Sequence, residues 1–600
     1  MSSTYAHYQG PSSLPSDYAI LSRLNPLHEP TVPSSEQEPL APPPVSERDS
    51  SQHRVTRRES FPESYYYRPT RPTIGRNPRS DQPDSIPSRT FRMPSETTPL
   101  LSNPPIPRIE ESIDRDPLAN SESNVSMFWE ELWILTKYAL PVFGTHVLEY
   151  SLVIASVVSI GHLSTTALAA ISLGSMTASV SGFSILQGFA SALDTVLPSA
   201  WTSSQPNLVG LWAQRMTVVT FASLIPMFFI WFNAESILLF LKQDPEVASL
   251  AAVYLRWVSL GLPAYAFNCI SRRYFQSQGL FTVPTRIVFI VAPTNAILNW
   301  LLVWGPKPIR LGFIGAPIAT AISFNLISLM SIFYGIFYVP HTAWYPLSRR
   351  MFTGLGVLVQ LGLSGVGQTA SEWWAWELVA LAASLLGPIA LATQSVLLVS
   401  ASTTFQAPFA LGVATAVRIG NLLGEHKAKR AGVAANTSIV MAFLIACFSS
   451  AMFMIFRHRW AYMFNSDPEV VKLVASIIPL LSLFQVFDGT SAVTAGILRA
   501  RGKQFLGALL NLSAYYIFGI PLGIYLAFTR QMGLHGLWLG LTFSLVYCAV
   551  IGTWISVRTD WDREVDKVMH RLKEEDLRRK QEDRDHDAGG IEHGRLVDDR

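Results

Sequence analysis

Charge is scarce where the chain is longest. Asp, Glu, Lys and Arg make up 15% of the 600 residues, and most of them fall before about residue 131 or after about residue 557. The nearly uncharged centre excludes a string of ordinary soluble domains. Apolar runs of about 20 residues fill it instead, and each can cross roughly 30 Å of hydrocarbon at 1.5 Å per residue. Cysteine is scarce as well. Cys269, Cys447 and Cys548 lie far apart in apolar segments, so neither a disulfide framework nor a CxxC metal pair is expected. No basic-then-apolar leader opens the chain, which begins polar and rich in Pro and Ser. The first spanning helix is therefore expected to act as the insertion signal. No metal site or cofactor is expected.

What is present is a polytopic, all-α membrane chain. Twelve hydrophobic spans are expected near 132–160, 166–197, 209–233, 248–270, 283–304, 314–339, 354–386, 388–416, 433–456, 470–498, 506–529 and 534–557. Residues 1–126 are too poor in apolar periodicity to offset the entropy of ordering, and are expected to be a disordered cytosolic tail. Two six-helix bundles, 127–340 and 341–557, and a charged cytosolic tail, 558–600, complete the organisation. In that last tail both signs of charge are interleaved, which favours a solvated helix over a nucleic-acid contact. With the N-terminus in the cytosol, the inner loops hold thirteen Lys and Arg and the outer loops six. The positive-inside rule then places both termini in the cytosol.

The two halves match at an offset of 223: "DPEV" at 244–247 recurs at 467–470, Gln278-Gly279 falls on Arg501-Gly502, and "GFIG" (312–315) falls near "GLHG" (533–536). Six spans separate the copies, so both halves insert with the same orientation. Two bundles related by a pseudo-two-fold axis along the membrane normal are one of the repeat architectures of secondary transporters. The offset also sets Glu149 of "THVLEYSLVIAS" on Glu372 of "TASEWWAWELVA". Each lies some 17 residues into its span, roughly 25 Å along a helix and thus in the outer half. Asp488 lies inside the tenth span, where the first repeat has Tyr265. Glu377 is rotated by roughly 140° from Glu372 on a straight helix, so the two do not point into one small site.

Intramembrane acids are costly, and they usually face a cavity and mark an ion or substrate path. The blander reading is an acid hydrogen-bonded to a neighbouring helix or wetted near the interface. Burial disfavours the charged form of a carboxylate and a nearby cation favours it. Competition between a proton and an organic cation for one carboxylate is thus the minimal chemistry of an antiporter. Glu372, Asp488, Glu377 and Glu149 are the candidate proton-coupling and substrate-binding residues. Trp373, Trp374 and Trp376 offer cation–π faces, or else pack against other helices. Trp373, Trp376, Gln394 and Tyr515 are candidates for lining a substrate cavity. Asp194 and Arg418 lie at near-equivalent inner ends of the bundles. They are a candidate cytosolic-side gate, either as an ion pair or as separate local contacts.

Several segments in order resemble the multidrug and toxic compound extrusion (MATE) transporters, especially the eukaryotic branch, over about 131–557. They are "ALP" (139–141), "GFASALDT" (188–195), "GLWAQR" (210–215), "EWWAWE" (372–377), "APFALGVATAVRIGNLLG" (407–424) and "DGTSAVTAGILRARGKQ" (488–504). The long polar leader is similar to that of fungal members. The resemblance implies proton-coupled exchange of organic cations through the acids at Glu372 and Asp488, with a contribution from Glu377. The chain departs from some animal members at Val399, where they carry a further glutamate, and at Pro198-Ser199-Ala200-Trp201, which replaces Gly-Gln-Ala-Tyr.

Two other functions of the same architecture stay open: a flippase for lipid-linked precursors and a Na+-coupled exporter. A flippase wants a cationic cavity, whereas the intraspan charges here are acidic. A membrane enzyme has only His146 to offer, and a lone helix histidine is more often packed. The expected partners are small organic cations or drug-like molecules, protons and the lipid bilayer, with no nucleic acid and a monomeric chain. In the leader, Glu96 precedes Leu100-Leu101 in "SETTPLLSN", which resembles an acidic dileucine signal read by sorting adaptors. A vacuolar membrane is therefore the favoured location, with the plasma membrane as the alternative.

Overall fold

A computed structural model of the chain describes residues 123–161, 163–464 and 467–598. The sorting motif at Glu96, Leu100 and Leu101, with the rest of the N-terminal tail to residue 122, lies outside the described residues. The first bundle consists of α1 (Asn124–Gly161), α2 (Thr166–Trp201), α3 (Leu208–Phe232), α4 (Pro245–Ser277), α5 (Thr282–Trp304) and α6 (Gly312–Phe337). The second consists of α7 (Leu355–Ser384), α8 (Pro388–Gly424), α9 (Ala428–Ile455), α10 (Pro468–Ala500), α11 (Gln504–Thr529) and α12 (Leu534–Val557). A thirteenth helix, α13 (Trp561–Asp598), follows. Ten of the helices are long and apolar enough to cross a membrane. The two that complete the twelve, α1 and α7, span 38 and 30 residues and carry Glu149 and Glu372.

The repeat is written into matching local devices. Asp244 and Asp467 cap α4 and α10, each accepting from backbone N–H groups of the first turn, with proline next in line. An N-cap carboxylate satisfies donors that a helix start leaves open, and proline at N1 removes a donor that has no partner. Gly279 and Gly502 end α4 and α10 with φ of 78° and 68°, a left-handed conformation that only glycine adopts without strain.

The bundles are not joined side by side throughout. Leu135, near the start of α1, is buried among Leu411, Ile419, Leu422, Ala434 and Ile497 of the second bundle. Further along α1, Leu152 and Ile160 join clusters of the first bundle. In the same manner Leu358, near the start of α7, packs with Leu193, Val196 and Leu211 of the first bundle, while Ala375 and Val379 belong to the second. Each bundle's opening helix thus begins beneath the other bundle. The result is a closed seam on the face where α1 starts and α12 ends, the terminal face. By contrast the outer half of α2, as far as Ala178, packs within its own bundle.

The last helix departs from the solvated tail expected of it. Val565 and Val568 of α13 are buried among α8, α9 and α10, and Trp561 lies against Gly432. Arg215 of α3 reaches Glu575 at 2.6 Å and Gln205 reaches Asp576 at 2.7 Å. An apolar stripe hidden in the interleaved charges therefore straps α13 under both bundles.

At the seam the crossing of α2 and α7 depends on two glycines. A Cβ on Gly365 would strike the Ser191 hydroxyl and the Gly188 carbonyl, whereas a Cβ on Gly356, two turns earlier, would meet nothing within 4 Å. Replacing glycine by alanine in an open helix position is worth up to about 1 kcal/mol, and overpacking costs about 1–3 kcal/mol. The two substitutions are therefore expected to have opposite signs. Gly356→Ala should leave thermal unfolding unchanged or slightly higher and Gly365→Ala should lower it; equal behaviour would mean the helices do not cross so closely.

Candidate functional site: paired and unpaired acids of the bundles

Three groups of buried acids decide the chemistry, and they differ in whether a cation compensates them. On the terminal face Glu131 of α1 is fully buried, and both its oxygens accept from Arg418 of α8, at 2.5 and 2.8 Å. Arg430 of α9 adds a third bond at 2.6 Å. Asp194 of α2 accepts from Arg273 of its own bundle at 3.0 Å and lies 3.3 Å from Arg499 of the other. Beside it Thr195 donates to the Arg499 carbonyl at 2.5 Å and Gln504 donates to Thr195 at 2.8 Å. Of the two alternatives, Asp194 and Arg418 do not pair with each other. Each residue does join the two bundles, but through another partner, because α1 brings Glu131 under the second bundle. Glu131, Arg273 and Arg499 were missed from the sequence, where they read as ordinary interfacial charge.

Glu149 is the second case. It is ion-paired with Arg272 of α4, and His146 Nδ1 stands 3.5 Å away. Four residues earlier on α1, Thr145 meets Thr285 in the first turn of α5 at 2.8 Å. That register places Glu149 roughly 10 Å above the terminal end of α5, toward the midplane rather than in the outer half. The reason for the correction is that the Pro141 carbonyl already stands level with the first turn of α5, where it accepts from Thr285. The first residues of the expected span therefore run below α5, and depth counted from residue 132 is too great. Around the pair lies a cavity of about 50 Å³, lined also by Tyr254, Tyr265, Asn268, Asn295 and Ser323. At roughly 10–15 Å³ per water it has room for a few waters and no drug-sized molecule in this conformation. His146 packs edge-on against Phe409 across the bundle boundary.

Glu372 and Asp488 are the third case. The Gln368 carbonyl accepts from Asn511 at 2.9 Å and the Ser371 carbonyl from Tyr516 at 3.0 Å. Gly367 lies against Ala508 of α11 as its repeat equivalent Gly144 lies against Thr285 of α5. Glu372 thus sits at the same height as Glu149, roughly 10–16 Å above the terminal end and toward the midplane rather than in the outer half. Asp488, twelve residues before the end of α10, lies at a similar height and close enough for the two carboxylates to act on each other electrostatically. Among the described residues neither carboxylate has a hydrogen-bond or ion-pair partner, and Asp488 Oδ2 is buried. The surroundings share this property. Both amide atoms of Gln485, one turn before Asp488, and Thr393 Oγ1 are buried without a hydrogen-bond partner among the described residues, and so is Gln394 Nε2. A buried polar group left unmade costs about 1–3 kcal/mol, so the concentration of such groups in one bundle marks a place shaped for something else. Gln485 was missed from the sequence because a lone glutamine in an apolar run carries no spacing signal.

Short π-helical stretches, Ser179–Phe183 of α2 and Ser513–Gly519 of α11, flank this level. The first supplies the Val180 carbonyl to Trp374 at 3.1 Å, and the second supplies Tyr516. Such widened turns recur at functional positions. Trp373 joins the first bundle's core beside Tyr265 and Leu262. Trp376 is 1% exposed and packs edge-on against Phe484 and Trp538, so in this conformation it is core rather than cavity wall. Tyr515 shares that core, and Gln394 accepts from Trp538 Nε1 at 2.8 Å. Glu377 is buried on α7 beyond the level of Glu372.

Two duplicated six-helix bundles, with acids at the midplane of one and a closed ionic seam on one face, define a secondary-transporter architecture. The profile of the MatE family matches residues 141–301 and again 366–525, at a spacing close to the 223-residue repeat. An uncharacterized transporter of Schizosaccharomyces pombe is 38% identical over 501 residues, which cover 82% of this chain and 92% of that protein. The multidrug and toxin extrusion protein 2 of Mus musculus is 31% identical over 439 residues, covering 73% and 76%. The crystal structure of the eukaryotic MATE transporter AtDTX14 is similar with a TM-score of 0.71 and 31% identity, covering 74% of this chain and all of that one. The chain belongs to the MatE family of transporters.

The seam yields a direct stability test. Removing one partner of a buried ion pair costs about 3–5 kcal/mol because the other charge stays uncompensated. Half-exposed pairs are worth about 1 kcal/mol or less. Glu131→Gln is therefore expected to destabilise the protein strongly in detergent unfolding, and Glu130→Gln, whose side chain is 48% exposed, hardly at all. Similar losses from the two would contradict the burial of the Glu131 cluster.

Proposed function

We propose that the chain is a proton-coupled antiporter that exports organic cations, drugs or metabolites from the cytosol by alternating access. The observation that carries this is the pair of midplane carboxylates, Glu372 and Asp488, neither of which makes a hydrogen bond or ion pair among the described residues, although the Arg499 charge acts on Glu372 from a distance. Such groups hold a proton or a cation, since bare charge in hydrocarbon costs several kcal/mol. Glu377 lies on the same helix as a contributor to that site. Glu149 is already compensated by Arg272, so it positions helices of the first bundle more than it couples. Residues 127–340 and 341–557 are the two moving bodies, and the Asp194 bridge with the Glu131 cluster is the cytosolic-side gate. The thirteen inner Lys and Arg support a cytosolic terminal face.

Uptake of a fluorescent organic cation into proteoliposomes, with proton and sodium gradients imposed in turn, tests the reading. Glu372→Gln and Asp488→Asn are each expected to abolish proton-driven uptake while the protein still folds. Glu149→Gln is expected to lower stability, because Arg272 loses its counterion, yet to keep the pH dependence in the fraction that folds. Unchanged pH dependence in both midplane variants, or uptake driven by sodium alone, would sink the proposal.

The favoured location is the vacuolar membrane, where an acidic lumen would protonate the midplane acids and drive cations out of the cytosol. The dileucine motif supports it through adaptor recognition of the cytosolic tail. Replacing Leu100 and Leu101 by alanine in a fluorescently tagged chain is expected to move it from the vacuole to the cell surface. Retention of that variant on the vacuole, or a wild-type chain already at the surface, would rule the motif out.

A further inference from the structure

Where α13 meets the loop between α10 and α11, the charges do not balance. One carboxylate oxygen, Glu564 Oε1, lies 3.1 Å from Arg501 Nη2, 3.3 Å from Lys503 Nζ and 3.2 Å from Lys567 Nζ. Burial pushes Glu564 upward, but these cations outweigh it and hold its carboxyl below the usual range. A fourth cation stands on the same side. Arg571, two turns along α13, brings Nη1 to 3.9 Å from the position a Cβ on Gly502 would take. Burial draws Arg571 down to about 10, against the opposing pull of Glu564. Four cations thus converge on a single acid.

The arginines are also short of acceptors. The Arg501 side chain is 3% exposed, and its Nε and Nη1 are buried without a hydrogen-bond partner among the described residues. Trp561 lies 5.8 Å from the Arg501 guanidinium, a contact that meets its face and leaves its edge donors unmet. Arg571 makes no hydrogen bond or ion pair among the described residues, and the next acids along α13 are taken, Glu574 by Arg578, Glu575 by Arg215 and Asp576 by Gln205 and Lys580. Gly502, with φ of 68°, presents no side chain between the two guanidiniums. Planar guanidinium forks match the oxygens of a phosphoryl group, which accepts several charge-assisted bonds at once.

We propose that Arg501 and Arg571, flanking Gly502 with Lys503 and Lys567 beside them, bind a phosphate-type anion that pins α13 to the second bundle. The site lies on the terminal face just past the end of α10. Its ligand is therefore either free phosphate or the phosphomonoester headgroup of a membrane lipid. The site is separate from the midplane acids, so the test does not depend on how transport is coupled.

The full chain in phosphatidylcholine nanodiscs, digested with limited protease, reports the docking of α13 through the rate at which its segment is released. One arm adds inorganic phosphate at matched ionic strength against chloride, and another incorporates phosphatidylinositol 4-phosphate in the nanodisc. At least one arm is expected to slow release about tenfold. Protection by phosphate identifies the free anion as a ligand, and protection by the lipid alone identifies the headgroup. Arg501→Gln and Arg571→Gln are each expected to raise the half-saturating concentration about tenfold or more, since a charge-assisted bond is worth about 1.5–3 kcal/mol. Should Arg501→Gln fail to fold, Arg571→Gln on the strap itself still reports. No protection in either arm, or protection that Arg571→Gln leaves unchanged, overturns the proposal.

Discussion

A carboxylate cannot stay charged inside hydrocarbon without a cation or a set of hydrogen bonds, and this constraint separates five acids of the bundle helices into two groups. Glu131, Asp194 and Glu149 each meet an arginine. Glu372 and Asp488 make no ion pair among the described residues, although the Arg499 charge acts on Glu372 from a distance. The first group is thereby committed to holding helices together. On the proposed function the second is left for a proton or an organic cation, each of which would exclude the other by electrostatics.

The same constraint shapes the seam. Buried pairs resist being separated by one partner's loss, but a seam that opens as a whole admits water to both partners. Desolvation already suffered in the closed state is then returned, and the pairs cost far less to part than a single deletion suggests. Glu131–Arg418 and Asp194–Arg499 consequently favour two discrete arrangements, closed and dry or open and wet, over intermediate ones. The close α2–α7 crossing at Gly188 and Gly365 adds the same discreteness through packing, since backbone contact at that distance tolerates little partial opening. The strap α13 spans both bundles by Glu575–Arg215 and Glu564–Arg501, so its register on the terminal face is tied to that of the seam.

Much of the architecture was legible because it rests on local signals. Span lengths, the "DPEV" caps and the glycines after α4 and α10 each act within a few residues, and they recur at one offset. Glu372 and Asp488 stood out as candidates because an acid in an apolar run has few innocent explanations. What the chain conceals is pairing over long separations. Nothing near Glu131 announces Arg418, 287 residues away, and Arg272 reads as a loop charge until α4 is seen to carry it up to Glu149. The valine stripe of α13 was hidden by the surrounding charge, and Glu149 and Glu372 were set too high because α1 and α7 begin below the neighbouring α5 and α11.

The central claim is that one proton and one cation compete for the midplane carboxylates. Proton release on binding is the most direct measure of it. Purified protein in weakly buffered detergent solution, mixed with an organic cation at a pH where the acids are protonated, should acidify the medium in proportion to the cation bound. The double variant Glu372→Gln with Asp488→Asn should bind without acidifying. Cation binding by the unaltered protein with no release of protons would contradict the account.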